Sequence, residues 1–189
     1  DDRQLEAGLA EAGEVLAELQ RHGVDSIALR QLLGTWALEA EDGEQAERHF
    51  AGVIASQESS QLLLEQAQRG LRDAQVMAYG ADAVTLADAQ ALYADEQWQA
   101  AEELLKQLFL GGEDGDVLRE AEQVRDQMRA AATALGAALM GEADQILSGS
   151  GPYDGVGPLL LRIETLPGGS WNSLELERLR RWYSESDGA

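Results

Sequence analysis

The groups in this 189-residue sequence best suited to acid–base or metal chemistry are two histidines, His22 and His49, and 35 carboxylates. Cysteine is absent, which excludes disulfides, thiolate metal sites and Cys nucleophiles. His22 precedes Gly23, where a helix would stop, and a helix C-terminus stabilises a cationic imidazole. His49 stands beside Phe50 on a helical stretch. No nucleophile signature accompanies either. The acidic turns Glu41-Asp42-Gly43-Glu44 and Glu113-Asp114-Gly115-Asp116 carry the oxygen ligands calcium needs, but not the spacing of a calcium-binding loop. They read as helix caps. A glycosidase needs two carboxylates at a set separation, and no particular Glu stands out from so many. Ser148-Gly149-Ser150-Gly151 lacks the lysine and preceding strand of a phosphate-binding loop, so it reads as a linker. The expectation is a protein with no catalytic, cofactor-binding or metal-binding residues. Trp36, Trp98, Trp171 and Trp182 read as filler between helices, the last two as the more exposed.

Charge narrows the partners. The formal net charge is −21, and Lys106 is the only lysine. Nucleic acid and anionic lipid are bound through excess Lys and Arg, so neither is expected. A protein or peptide with a basic surface fits better, beside the plain role of solvation. No apolar run approaches the roughly 18 residues of a membrane span. The chain opens on Asp1 with no leader before it. That suggests an exported or periplasmic protein after leader removal, with a cytoplasmic location as the alternative.

The elements that would position these groups are helices. Apolar residues recur at three-and-four spacing through Leu5, Leu9, Ala12, Leu16 and Leu19, and Gly23 stops that helix. Asp25 is placed to cap a second, bearing Leu29, Leu32, Leu33, Trp36 and Ala37. A third follows Asp42-Gly43 with Ala46, Phe50, Val53 and Ile54. Ser59 or Ser60 caps a fourth, with Leu63, Ala67, Leu71, Ala74 and Met77, ending at Gly80. Residues 81–109, ADAVTLADAQALYADEQWQAAEELLKQLF, read as two helices folded around Trp98, Ala101, Leu105 and Leu108, stopped by Gly111-Gly112. Asp114 or Asp116 caps a long helix through Leu118, Ala121, Val124 and Met128. Gly136 then marks a tight turn or a bend in a continuous helix. Gly157-Pro158 should kink the next helix or delay its start to about Gly157. Asn172 and Glu175 resemble a capping box for a last helix with Leu176, Leu179 and Trp182. Strand alternation is nowhere sustained.

An internal repeat organises these helices. Ala46, Ala101 and Val156 are spaced by 55 residues, as are Phe50, Leu105 and Leu160, and Val53, Leu108 and Ile163. Stepping back 55 from Leu64 and Ala67 reaches Leu9 and Ala12. The expected fold is all-α: an α-solenoid of helical hairpins, about ten helices, in three units of about 55 residues. An N-terminal capping helix covers 1–23, and the units cover 24–80, 81–135 and 136–184, with a tail at 185–189. Leu33-Gly34 followed by Ala46 and Phe50 resembles the tetratricopeptide pattern of a helical hairpin. Ala89, Tyr93, Trp98, Ala101 and Leu105 resemble it again. The third copy departs from it, with Val156 where alanine is usual and Gly157-Pro158 foreign to the pattern. The spacing of 55 also exceeds the family period of about 34, as an extra helix per unit would require.

The resemblance implies a non-enzymatic protein-binding or assembly scaffold whose groove is lined by the first helix of each hairpin. The residues expected to point away from the hairpin cores are Gln31, Thr35, Leu38, Gln90, Tyr93 and Gln145. Alternatives are a structural accessory subunit permanently held in a larger complex and, behind it, a helical domain of a cell-wall enzyme.

Overall fold

Several helices of this chain start where a side chain captures backbone N–H groups that have no intrahelical partner. In the computed structural model, which describes residues 2–23, 25–57, 59–149, 155–167 and 173–186, the order is α1 (Asp2–Arg21), α2 (Ile27–Glu39), α3 (Gly43–Ile54), α4 (Gln61–Tyr79), α5 (Ala81–Ala94), α6 (Trp98–Gly111), α7 (Gly115–Ser148), α8 (Val156–Glu164) and α9 (Ser173–Ser186). The described residues contain no strand. Asp42 Oδ1 accepts from the Gln45 N–H at 2.9 Å, and Ser60 Oγ from the Leu63 N–H at 3.4 Å. Asp114 Oδ1 accepts from the N–H groups of Asp116 and Val117, at 2.9 and 3.2 Å. Such a cap contributes about 1 kcal/mol. At α2 the cap is Ser26, 3.2 Å from the Leu29 N–H, not the expected Asp25. The Asp25 carboxylate instead takes both Nε and Nη2 of Arg30, at 2.7 and 2.6 Å.

Among the described residues nine helices stand where about ten were expected, because α7 passes through Gly136 without a break. Ala132, Gly136, Leu139, Ala143 and Leu147 form one buried row along it. Keeping that row buried outweighs the roughly 1 kcal/mol that glycine costs inside a helix. The expected boundary at 135/136 therefore falls inside a helix. Of the two expectations for Gly157-Pro158 the late start holds: α8 begins at Val156, one residue before the expected Gly157. Pro158 occupies the first turn, where a missing N–H removes no intrahelical bond. The proposed Asn172 cap lies outside the described residues.

The helices gather into two compact units, residues 1–84 and 85–189. In the first, Ala37, Ala46, Phe50, Val53, Ala67 and Ala74 are buried together, with Ile27, Trp36, Leu38, Ile54 and Leu71 packed around them. Phe50 organises this core. Its ring lies against Gly34 of α2 and Gly70 of α4, where an added Cβ would stand 2.8 Å and 2.5 Å from ring carbons. Only a residue without a side chain lets either helix come so close to the ring. The buried row of α4 is consequently Ala67, Gly70 and Ala74, and Met77, expected inside, is 45 % exposed. Leu32, also expected inside, is 59 % exposed, because α2 turns Leu29, Leu33, Gly34 and Ala37 inwards. On α1 the expected stripe is largely bare. Ala12 and Leu19 are exposed and Leu16 half-buried, while the side chains of Leu5 and Leu9 lie outside the described set.

In the second unit one cluster joins α5, α6 and the first half of α7, through Leu86, Ala89, Trp98, Ala101, Leu105, Leu108, Ala121, Val124 and Met128. Another joins the second half of α7 to α8 and α9, through Leu139, Ala143, Leu147, Val156, Leu160, Ile163, Leu176 and Leu179. Trp182, read as inter-helix filler and among the more exposed tryptophans, is half-buried against this second cluster. Trp171 lies outside the described residues.

The turns α2–α3 and α5–α6 carry the same hydrogen bonds at corresponding positions. Asp42 N–H donates to Ala37 O and Gln97 N–H to Leu92 O, each at 2.8 Å. Glu41 N–H donates to Leu38 O at 3.0 Å and Glu96 N–H to Tyr93 O at 3.1 Å. Glu41 and Glu96 both adopt the left-handed region, at φ 57° and 59°.

Two outcomes follow from this packing. Gly70→Ala should destabilise the first unit by about 1–3 kcal/mol despite alanine's better helix propensity, because the new methyl overlaps the Phe50 ring. Phe50→Ala should cost about 3–5 kcal/mol through the cavity it leaves. Urea titration reads both, and pairing Gly70→Ala with Phe50→Leu should cost less than the sum of the two singles. At the turn, Glu41→Gly relieves a Cβ penalty of about 1–2 kcal/mol, partly offset by glycine's greater freedom when unfolded. Its melting temperature should match or exceed that of the parent chain, whereas Glu41→Val should melt lower.

Candidate functional site

The residues singled out from sequence fall into two sets, one per unit. Gln31, Thr35 and Leu38 lie on α2. Thr35 is exposed, and its hydroxyl donates to the Gln31 carbonyl at 3.0 Å, inside its own helix. Gln31 is half-buried, with Oε1 enclosed and without a hydrogen-bond partner. Leu38 does not stand clear of the core as expected; it is half-buried and packs on the Phe50 cluster. Thr35 is thus the exposed member of this set.

Gln90 and Tyr93 lie on α5, and Gln145 on α7. Gln90 Nε2 donates to Glu120 Oε1 at 3.2 Å, tying α5 to α7. Tyr93 also fails the expectation of pointing away. Its ring meets Trp98 edge-on, centroids 5.2 Å apart and planes at 65°, and it packs on the α5–α6–α7 core. The pattern alone could not reveal this, since a tyrosine one turn from a helix end serves equally as a lid on a tryptophan or as a contact. Gln145 is exposed.

The structure adds polar features that the sequence reading missed. On α3, Glu47 is gripped from α4: Tyr79 Oη donates to Oε2 at 2.7 Å and Gln75 Nε2 to Oε1 at 3.1 Å. That hydrogen bond to a carboxylate holds the Tyr79 hydroxyl above its ordinary pKa of 10.0. An open cleft of about 440 Å³ is lined by Asp25, Ser26, Ile27, Arg30 and Ser56. Arg30 reaches from it to the Gly52 carbonyl at 3.4 Å and, by its hydrogen bond and charge, holds Asp25 below the ordinary carboxylate value. In the second unit Arg125 lies over the Phe109 ring, 4.7 Å from its centroid. Apart from Asp25–Arg30, five residues apart, these pairings were not visible as short sequence motifs, because each joins residues on different helices.

His22 is exposed beside Glu18, at 3.8 Å. His49 is half-buried on α3, and burial, then the charges of Arg48 and Arg30, hold it below its ordinary pKa of 6.5. Among the described residues no three or more His, Asp or Glu side chains converge as metal ligands do, and no helix is long and apolar enough to cross a membrane. Asp42 and Asp114, from the two acidic turns, serve as helix caps. No protein-family model, curated protein or solved structure matches this chain.

His49 generates a pH prediction. Because the folded chain favours the neutral imidazole, the unfolded chain takes up the proton first as pH falls below about 6.5. Stability contributed above that pH is lost on acidification. His49→Gln should therefore lose less stability than the parent between pH 7 and about 5.5, measured as urea midpoints at each pH. Equal losses in the two proteins would show that His49 plays no part.

Proposed function

We propose that this chain is a non-enzymatic protein-binding or assembly scaffold of tetratricopeptide-like type, built from helical hairpins recurring every 55 residues. The observation that carries this reading is the pair of matching turns. Glu41 and Glu96, 55 positions apart, share the left-handed conformation and the same backbone hydrogen bonds around it. The buried rows that follow also correspond, Ala46, Phe50 and Val53 on α3 against Ala101, Leu105 and Leu108 on α6. Recurrence of that kind belongs to an array whose repeats present helix faces to partners. Given the net charge of −21, the partner is a protein or peptide with a basic surface, and its association should weaken as salt rises. Thr35 and Gln145 are the exposed residues chosen to test contact.

Photo-crosslinking amino acids placed at Thr35 and at Gln145 in the cells that make the protein should each trap a discrete partner, identified by mass spectrometry. Crosslinks only to the chain itself, or only to a smear of abundant proteins, would sink the scaffold reading. Leu62, Leu110 and Leu161, at 64 %, 89 % and 64 % exposure, favour a second reading, a subunit permanently held in a larger complex. A monodisperse isolated chain in sedimentation would count against it.

A further inference from the structure

One helix, α7, carries two cores that meet at a thin waist. Its first half is buried with α5 and α6 through Ala121, Val124, Met128 and Ala132, its second half with α8 and α9 through Leu139, Ala143 and Leu147. Between them the inward row is reduced to Ala132 and Gly136, and Leu135 packs on both cores. Glycine has poor helix propensity, and the Thr133 hydroxyl donates to the Arg129 carbonyl at 2.8 Å, a kind of bond that bends helices. The α8–α9 lobe is tied to its own half of α7 by Arg178, which reaches Asp144 at 2.7 Å, and within itself by Arg180 and Glu164.

That lobe meets the α5–α6 hairpin at the end of α8. Arg162 Nη2 donates to Glu96 Oε2 at 2.9 Å, and both side chains are exposed. Leu166, just past α8, is 2 % exposed and buried in the core of α5, α6 and the first half of α7. Beside them an open cleft of about 230 Å³ is lined by Thr165 on one side and by Glu96, Trp98 and the first turn of α6 on the other. An ion pair in water holds weakly, and a group of helices with a core of its own opens as a unit. We propose that α8 and α9, with residues 139–148 of α7, form a hinged lid that closes on the α5–α6 hairpin through Arg162 and Leu166 and swings open about residues 132–136 of α7. Opening bares Leu166 and the edge of Trp98 that borders the cleft, an apolar surface hidden in the closed form. This motion does not depend on the scaffold reading.

Because the chain has no cysteine, nitroxide labels go only where a cysteine is introduced into the full chain. A pair at Gln99→Cys and Leu161→Cys, both exposed positions, spans the seam. Electron spin resonance should show a short distance in most molecules and a longer one in a minority. Arg162→Ala should raise the long-distance share about two- to fivefold, as loss of an exposed ion pair implies, and Leu166→Ala about tenfold or more. Arg178→Ala, inside the lid, should leave the distribution as in the parent; an equal shift there would show general loosening and overturn the lid. A second pair, Gln123→Cys with Glu142→Cys, lies about 28 Å apart along a straight α7 and should shorten in step as the helix bends. Circular dichroism should show the parent's helix content throughout. Distances in Arg162→Ala and Leu166→Ala identical to the parent's overturn the proposal, as does a longer distance that appears only with loss of helix, which is local unfolding. An unchanged distance along α7 while the seam opens overturns the hinge. Should Leu166→Ala fail to fold, Arg162→Ala decides alone.

Discussion

The close approach of Phe50 to Gly34 and Gly70 is the contact on which the first unit depends. A phenyl ring reaches the backbones of two helices at once because neither helix has a side chain at the point of contact. The approach fixes which face of α4 turns inwards, and so sets the exposure of Met77 and the burial of Ala67 and Ala74. Interiors pack to near-crystalline density, so such a fit transmits: changing one partner moves all three helices. Gly43 repeats the device at the start of α3, where an added Cβ would stand 2.8 Å from the Ala74 carbonyl oxygen. In the second unit the corresponding places hold a larger and a smaller side chain, Ala89 for Gly34 and Leu105 for Phe50, and both are buried. Exchanging a large–small pairing for a more even one keeps helices close while conserving volume.

Polar contacts give the arrangement its register more than its stability. Most ion pairs are exposed, among them Arg178 with Asp144 and Glu175, Arg162 with Glu96, and Arg180 with Glu164. Exposed pairs are worth about 0–1 kcal/mol each. Arg178–Glu175 lies within α9, but the others join elements separated in sequence, as Glu47 joins α3 to α4, and so penalise a helix that slides by a turn. The chain as a whole keeps a net charge of −21.

Some site features were legible before the structure. The caps Asp42, Ser60 and Asp114 and the stop at Gly80, with φ +87°, follow from local rules, since each concerns a few adjacent residues. The residues expected to point away from the cores were legible only in part. Thr35 and Gln145 are exposed as expected, whereas Leu38 and Tyr93 pack on cores, because a helical wheel does not say how many neighbours a helix has. Two exposed sides and two covered sides look alike in one helix's pattern.

By itself the sequence determined the all-helical class and most helix boundaries, since hydrogen bonding along the chain and hydrophobic periodicity are local properties. Tertiary structure alone decided that α7 runs unbroken through Gly136, that Gly34 and Gly70 belong to the core, and that the apolar row of α1 is left open. Those outcomes depend on what lies opposite a helix face, and no spacing rule within one helix contains its neighbour.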